Sequence, residues 1–265
     1  MPDEPAAAPR AWWRYAVPNM VTGASLVFAM LGVLAAVDGH PVAATWWALY
    51  CTLTDRLDGA LAKALGGVSA FGVQFDSMAD LASFGMVIPT VFYAFFAHRP
   101  ELGWAEGPWR ALLVVFAVLW LLAAATRLAR FNVAAAAGKA PHYTGTPSTM
   151  TAGMVGALFL AALKYSDPAL RGGEWIDSWY LLGHVRLDAV LRLVPWLLPL
   201  GAFGMVSPLR VPRLGRTRHI VTDVLLFGSA GLGYALGLAH RLPEYLLGGG
   251  LVYLGLCVAY HLRTR

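Results

Sequence analysis

The feature that most constrains this chain is a series of apolar runs, each long enough to cross the hydrocarbon core of a membrane. A spanning helix needs roughly 17 to 25 predominantly apolar residues. Eight runs of about this length follow one another along the 265 residues. They cover approximately 20–38, 42–65, 71–97, 109–132, 147–164, 187–206, 220–239 and 244–262. The sequence therefore predicts an all-α fold, a polytopic integral membrane helical bundle with about eight transmembrane helices.

The composition favours the same class of protein. Hydrophobic residues make up 58% of the chain and charged residues only 13%, whereas an ordinary soluble domain has about 25% charged residues. The two cysteines, Cys51 and Cys257, lie in apolar runs without metal-ligand or disulfide spacing, so we expect small buried side chains. The net charge of +5 is explained by basic loops at a membrane face and predicts no nucleic-acid partner.

Four aspartates occur in the second and third apolar runs, where unpaired carboxylates are costly. Asp55 and Asp58 are three residues apart, and Asp76 and Asp80 are four apart. Either spacing places a pair on one face of a helix. A Gly-Gly pair followed by Ser69 is typical of a tight turn between the pairs. Two antiparallel helices joined by this turn would bring the four carboxylates together.

Converging carboxylates favour a bound cation, because four of them cannot all stay ionised in one small space without one. A ligand set of oxygens, with no His or Cys, selects Mg²⁺, Mn²⁺ or Ca²⁺. Two divalent ions would balance the formal charge of the four aspartates. Mg²⁺ commonly completes its shell with water and substrate phosphates, so the cluster predicts a phosphate-containing ligand.

Small residues accompany the aspartates on these helices. Gly59 and Ala62 follow Asp58, and Gly72 lies one turn before Asp76. Each glycine alone is equally typical of close helix packing in membranes. On the same face as the carboxylates, however, they favour a surface that a flat ligand can approach closely.

The distribution of Lys and Arg among the loops predicts the orientation. With the N-terminus in the cytoplasm, that side holds thirteen of the 20 basic residues. They are Arg10, Arg14, Arg56, Lys63, Arg127, Arg130, Lys139, Arg210, Arg213, Arg216, Arg218, Arg263 and Arg265. We therefore expect the aspartate segment at the cytoplasmic face. The membrane we expect is a bacterial inner or plasma membrane.

One spacing, D-x2-D-G-x2-A-R-x8-G-x3-D-x3-D, runs through the whole segment. It is occupied here by Asp55, Asp58, Gly59, Ala62, Lys63, Gly72, Asp76 and Asp80. This pattern resembles the signature of the CDP-alcohol phosphotransferases, integral membrane enzymes of phospholipid synthesis. The single departure is Lys63, where the family has arginine. The resemblance implies a six-helix core, followed here by additional C-terminal helices, and a homodimer.

The resemblance also implies roles for individual residues. The metal ligands, for two Mg²⁺ or Mn²⁺ ions, would be Asp55, Asp58, Asp76 and Asp80, and Asp80 would also be the general base. The nucleotide and pyrophosphate site would contain Asn19, Thr22, Gly59, Ala62, Lys63 and Gly72. Lysine keeps the positive charge of the family arginine but lacks its bidentate fork.

Other stretches resemble the phosphatidylserine synthase branch of the family. They are VPNMVT (17–22), FGVQFDSMADLASFGMVIPTVFYAF (71–95), RLARFNV (127–133), YTGTPSTMTAG (143–153) and GMVSPLRVP (204–212). This likeness implies transfer of the phosphatidyl group from CDP-diacylglycerol to L-serine. Arg127 and Arg130, at the end of an apolar run, could clamp the serine carboxylate. They are equally typical of positive anchors at lipid headgroups.

The expected organisation has three parts: a cytoplasmic N-terminal segment (1–19), a transmembrane core (20–212) with its active site at 55–80, and C-terminal transmembrane helices (213–265). Two alternatives to the serine reaction stay open. The acceptor could be glycerol 3-phosphate, inositol phosphate or choline. The chain could also be a cation-coupled or proton-coupled transporter, because intramembrane carboxylates also mark ion pathways.

Overall fold

The computed structural model describes residues 11–136, 143–181, 183, 185–186, 188–211 and 220–263. The α-helices are α1 Trp13–Val37, α2 Pro41–Ala64, α3 Ala70–Asp80, α4 Val87–Phe96, α5 Gly107–Ala136, α6 Ser148–Lys164, α7 Asp188–Leu191, α8 Leu197–Val206, α9 Ile220–Leu238 and α10 Pro243–Arg263. A π-helix spans Leu81–Met86, and 3₁₀-helices span Pro100–Leu102, Pro168–Arg171 and Val194–Trp196. Two short strands, β1 Tyr143–Thr144 and β2 Arg210–Val211, pair antiparallel.

The predicted all-α membrane bundle is confirmed. Four helical spans in the described part of the chain are long and apolar enough to cross a membrane. They are Trp13–Val37, Ala70–Phe96, Gly107–Ala134 and Pro243–Arg263. Ser148–Lys164 and Val194–Val206 are shorter apolar helices. Helix α2 has the length of a span but carries the charged residues of the aspartate segment.

Each predicted apolar run is helical, but two of them are not continuous α-helices. The run predicted at 71–97 is divided by the π-helix, and the run at 187–206 is divided by a 3₁₀-helix that contains Pro195. Proline has no N–H and cannot continue the helical hydrogen-bond pattern in a helix interior. Helix α1 begins at Trp13, before the predicted start at residue 20. Of the basic residues used to predict orientation, Arg10, Lys139, Arg213, Arg216, Arg218 and Arg265 lie outside the described residues.

The core lies between α1, α2, α4, α5, α6 and α8. Helix α1 packs along α2, α5 packs against α8, and α6 lies between α2 and α10. Phe159 of α6 contacts Phe92 and Phe95 of α4, each with ring centroids 5.0 Å apart. These aromatic rings are buried, and their contacts hold α6 against α4.

The end of the bundle opposite the aspartates is joined by charged side chains. Glu174 accepts hydrogen bonds from the N–H groups of Val42 (2.8 Å) and Ala43 (2.9 Å), and so caps the start of α2. The buried Lys164 Nζ, at the end of α6, lies 2.9 Å from both Asp177 Oδ1 and Glu244 Oε1. This second group connects the 165–181 segment to the first turn of α10.

Candidate active site

Three of the four predicted aspartates come together near one end of the bundle. Asp55 projects from α2, and Asp76 and Asp80 project from α3. One carboxylate oxygen of each lies within 4.8 Å of the others, and all three side chains are half-buried. Such a group concentrates negative charge where little water is available to screen it.

The fourth aspartate, Asp58, is held separately. Its Oδ2 accepts a hydrogen bond from Thr22 Oγ1 of α1 (2.6 Å), and its Oδ1 accepts one from the N–H of Gly59 (2.6 Å). Asp58 is also the most buried of the four, at 5% exposure. It borders the same cavity as Asp76, so it connects the group of three to the neighbouring pocket.

The turn predicted between the two aspartate pairs is confirmed. Helix α2 ends at Ala64, and Gly66 takes the left-handed conformation with φ +61°. Ser69 caps α3, because its Oγ accepts a hydrogen bond from the N–H of Gly72 (3.0 Å). At Gly67 a Cβ atom would overlap the carbonyl of Arg14 in α1. Glycine there lets the turn rest directly on the start of α1.

A cavity of about 180 Å³ opens beside the aspartates. Its lining includes all six residues predicted to bind the nucleotide and pyrophosphate: Asn19, Thr22, Gly59, Ala62, Lys63 and Gly72. A Cβ at Gly59 would meet nothing within 4 Å, so this part of the wall is open. A Cβ at Gly72 would lie 3.1 Å from both Asn19 Oδ1 and Ser69 Oγ, closer than an ordinary contact. The cavity is therefore open at Gly59, whereas at Gly72 the absence of a side chain avoids a close contact with Asn19 and Ser69.

A layer of small polar side chains lies one turn below the carboxylates. Ser25 Oγ of α1 is 3.1 Å from Ser83 Oγ in the π-helix, and Cys51 Sγ donates to the Ser25 carbonyl over 3.4 Å. Cys51 and Ser83 are four and three residues from Asp55 and Asp80, respectively. These contacts tie together the three segments that carry the site.

The two predicted acceptor residues have different surroundings. Arg127 is half-buried, donates from Nη1 to Ser148 Oγ (2.9 Å), and is close enough to interact electrostatically with Asp55 and Asp80. Arg130 is exposed and donates to the carbonyl of Val206 over 3.0 Å. The structure therefore brings Arg127 to the aspartates and turns Arg130 toward the end of α8.

Thr149 is a site residue that the sequence reasoning missed. Its Oγ1 donates a hydrogen bond to Asp55 Oδ2 over 3.1 Å. The sequence feature that could have indicated Thr149 is the pair of hydroxyl residues, Ser148 and Thr149, at the start of an apolar run directly after Pro147. Both hydroxyls lie in the first turn of α6, where one contacts Arg127 and the other Asp55.

A second cavity, of about 190 Å³, lies between α2, α6, α9 and α10. Its lining is mostly apolar and includes Leu49, Met154 and Leu246. Arg56 and Thr149 also border it. Because Thr149 contacts Asp55, this lateral cavity reaches to the edge of the aspartate group.

The donor set of the site fits a hard divalent cation. Asp55, Asp76 and Asp80 supply only carboxylate oxygens, the ligands that Mg²⁺, Mn²⁺ and Ca²⁺ prefer. Arg56 and Arg127, the two cations that act on Asp55, do not offset the formal charge of three carboxylates and the nearby Asp58. A bound cation would therefore stabilise this arrangement.

Comparison with known proteins points to the same segment. The family model of CDP-alcohol phosphatidyltransferases matches residues 15–189, which include the aspartates and the cavity. A CDP-diacylglycerol–serine O-phosphatidyltransferase of Mycobacterium leprae is 31% identical over 67% of this chain and 56% of its own length. One from Helicobacter pylori is 30% identical over 57% of this chain and 60% of its own.

An archaetidylserine synthase of Methanothermobacter thermautotrophicus is 29% identical, again over 57% of this chain and 60% of its own length. The chain thus spans less than two thirds of the length of these relatives. The family model, in contrast, covers well over half of this chain, from the first turn of α1 to α7. The chain therefore belongs to the CDP-alcohol phosphatidyltransferase family.

Proposed function

We propose that this protein transfers the phosphatidyl group of CDP-diacylglycerol to the hydroxyl of L-serine, giving phosphatidylserine and CMP. The observation that carries the proposal is the position of the cavity that contains Asn19, Lys63 and Gly72, directly beside the aspartate group. A pyrophosphate-linked lipid needs both features side by side. The names of the relatives from Mycobacterium leprae and Helicobacter pylori support serine as the acceptor.

Asp55, Asp76 and Asp80, with Asp58 beside them, would hold two Mg²⁺ or Mn²⁺ ions. When bound, such ions neutralise phosphate charge and stabilise a departing phosphate group. The chain's own residues prepare this site, because Thr149 orients the Asp55 carboxylate and Thr22 orients that of Asp58.

The cavity would take the cytidine nucleotide. Gly59 leaves part of its wall open, and the absence of a side chain at Gly72 keeps the wall close to Asn19 and Ser69. Lys63 borders the cavity and is exposed. Its ammonium group would contact the pyrophosphate as a point charge, where the family arginine would use two N–H groups.

Arg127 would bind the carboxylate of serine and so direct the serine hydroxyl toward Asp80. Asp80 would take the hydroxyl proton as the serine oxygen attacks the lipid phosphorus. A new P–O bond forms to serine, and the pyrophosphate P–O bond to CMP breaks. CMP carries away the electron pair, and the proton on Asp80 is later released to water. We favour this direct transfer because it requires no covalent enzyme intermediate.

The lateral cavity would bind an acyl chain of the substrate beside the aspartates. Its apolar lining suits a lipid chain, and Arg56 at its border suits the phosphate end of the same molecule. We infer that the aspartate end of the bundle faces the cytoplasm of a bacterial inner or plasma membrane. We also infer that the catalytic core spans 20–212, that 213–265 adds C-terminal helices, and that the protein is a homodimer.

The decisive experiment measures CMP release by the purified protein from CDP-diacylglycerol, with Mg²⁺ or Mn²⁺ and a panel of alcohols. We expect release that depends on serine and stops when EDTA removes the metal. Release with glycerol 3-phosphate, inositol phosphate or choline, but not with serine, would retain the chemistry and replace the acceptor. Metal binding without CMP release for any alcohol would favour a transporter instead.

A further inference from the structure

The helix that carries two of the aspartates changes its hydrogen-bonding pattern directly after Asp80. Helix α3 ends at Asp80, the π-helix Leu81–Met86 follows, and α4 begins at Val87. A π-helical turn inserts an extra residue, which rotates the residues before it relative to those after it. The directions of Asp76 and Asp80 relative to the packed helix α4 therefore depend on this segment.

Pro89 gives a physical reason for a disturbed pattern at this place. In a π-helix the carbonyl of residue i pairs with the N–H of residue i+5. The residue five positions after Phe84 is Pro89, which has no N–H to donate. At the π-helical spacing, the Phe84 carbonyl has no backbone donor. Because Phe84 is buried, with 1% exposure, an unpaired carbonyl there would be costly.

Trp120 of α5 supplies a donor from another helix. Its indole Nε1–H donates to the Phe84 carbonyl over 2.8 Å, and its side chain is fully buried. Gly85 lets α5 approach, because a Cβ there would lie 3.3 Å from Leu121 Cδ1 and 3.5 Å from Ala124 Cβ, both in α5. A hydrogen bond from another helix thus reaches the backbone of the π-helix at the residue whose i+5 partner is a proline.

We propose that Trp120 is a positioning residue for the metal site: its indole N–H holds the π-helix and thereby sets Asp76 and Asp80 against Asp55. Without this bond, the segment after Asp80 can return to an α-helical pattern and rotate the two aspartates out of place. This inference rests on the proposed role of the aspartates as metal ligands. It does not depend on which alcohol accepts the phosphatidyl group.

The test replaces each of two buried tryptophans by phenylalanine, which removes the indole N–H together with part of the ring, so the control accounts for the lost volume. Trp120→Phe keeps an aromatic ring but loses the bond to Phe84. Trp104→Phe is the matched control, because Trp104 is also buried and donates to a carbonyl, that of Arg192, over 2.9 Å. Mn²⁺ binding to the purified protein in detergent is read from the electron paramagnetic resonance signal of free Mn²⁺, with circular dichroism as the check of folding.

We expect Trp120→Phe to weaken Mn²⁺ binding by about 10- to 100-fold, the range for outer-shell partners of metal ligands. Trp104→Phe should bind Mn²⁺ like the wild type. Wild-type Mn²⁺ affinity in a folded Trp120→Phe protein would overturn the inference. If Trp120→Phe does not fold, Gly85→Ala tests the same contact by pushing α5 away from the π-helix. Wild-type affinity in that variant would overturn it equally.

Two further outcomes separate this inference from the proposed function. If the wild-type protein binds no Mn²⁺, the metal site and the positioning role both fail. If it binds Mn²⁺ in a Trp120-dependent way but releases no CMP with serine, the proposed acceptor fails and the positioning role stands.

Discussion

Arg127 donates a hydrogen bond from Nη1 to Ser148 Oγ over 2.9 Å and thereby joins the second half of α5 to the first residue of α6. The next residue of α6, Thr149, donates to Asp55. Arg127 is thus held by the same helical turn that orients an aspartate of the metal site. A fixed guanidinium beside the proposed base is what a carboxylate-bearing acceptor requires.

We expect Arg127→Gln to raise the KM for serine by about 10- to 100-fold, because a hydrogen bond to a charged group contributes about 1.5–3 kcal/mol. The KM for CDP-diacylglycerol should change much less. Arg130→Gln is the matched control, since Arg130 is exposed and donates to the Val206 carbonyl at the end of α8. Serine titrations of the two variants check this. Equal changes in both variants would remove Arg127 from the acceptor site.

The helices of the bundle could be predicted from the sequence because their apolar runs are long and separated by polar or Gly-containing connections. The π-helix after Asp80 could not. Its Phe84 carbonyl accepts a hydrogen bond from Trp120, and these two residues are 36 positions apart in the sequence. The sequence shows that Pro89 lacks an N–H, but it does not show which side chain donates to the Phe84 carbonyl.

The convergence of Asp55, Asp76 and Asp80 could be predicted from their spacing, because the turn after α2 brings one face of α3 back beside α2. The separate position of Asp58 was not predictable in this way. It follows from the packing of α1 along α2, which brings Thr22 Oγ1 within 2.6 Å of the Asp58 carboxylate. Arg127 contacts Ser148 of α6, whereas Arg130 contacts Val206 of α8. These different partners likewise depend on where α6 and α8 pack against α5.

Asp80→Asn should abolish turnover, with a loss of roughly 10² to 10⁴ in rate or more, because it removes the proposed general base. CDP binding should largely persist, since the cavity residues are unchanged. Asp38→Asn, an exposed aspartate at the end of α1, should leave both quantities as in the wild type. The test measures CMP release and, separately, binding of CDP. Full activity in purified Asp80→Asn would exclude this residue as the base.

Lys63→Arg should be tolerated, because Lys63 is exposed at the cavity and leaves room for a guanidinium. Lys63→Met should raise the KM for CDP-diacylglycerol, because it removes the charge that faces the pyrophosphate but retains a side chain of similar length. Initial rates at varied CDP-diacylglycerol distinguish the two variants. Inactivity of a folded Lys63→Arg protein would show that the pocket requires a compact ammonium group.

His240, in the turn between α9 and α10, should make stability depend on pH. Its ring packs against Trp46 with centroids 4.9 Å apart, and its Nε2 is hydrogen-bonded with the Tyr50 hydroxyl. Burial lowers the pKa of His240, so the folded protein favours the neutral imidazole. The unfolded chain therefore takes up the proton first, and this contribution to stability is present above about pH 6.5 and is lost as the pH falls further.

His240→Asn tests this contribution, because Asn tolerates the positive φ of 54° at this position. We expect the thermal unfolding temperature in detergent to fall more steeply between pH 7 and pH 5 in the wild type than in His240→Asn, within the window around the ordinary histidine pKa of about 6.5. Parallel curves for the two proteins would mean that His240 does not titrate differently in the folded state.

Lys164 and Arg186 each face two carboxylates, but only Lys164 is buried. Lys164 Nζ is fully enclosed between Asp177 and Glu244, whereas the Arg186 side chain is 67% exposed beside Asp167 and Asp188. Lys164→Met would leave two buried carboxylates without their cation. We expect a loss of about 3–5 kcal/mol in the free energy of unfolding, the cost of breaking a buried pair.

Arg186→Met should cost at most about 1 kcal/mol, because solvent already screens its two ion pairs. Denaturant titrations of both variants in the same detergent give the comparison. The buried group joins the end of α6 to the first turn of α10, so Lys164→Met should also increase hydrogen exchange in α10. A similar small loss in both variants would mean that Asp177 and Glu244 reach water or take up protons when Lys164 is removed.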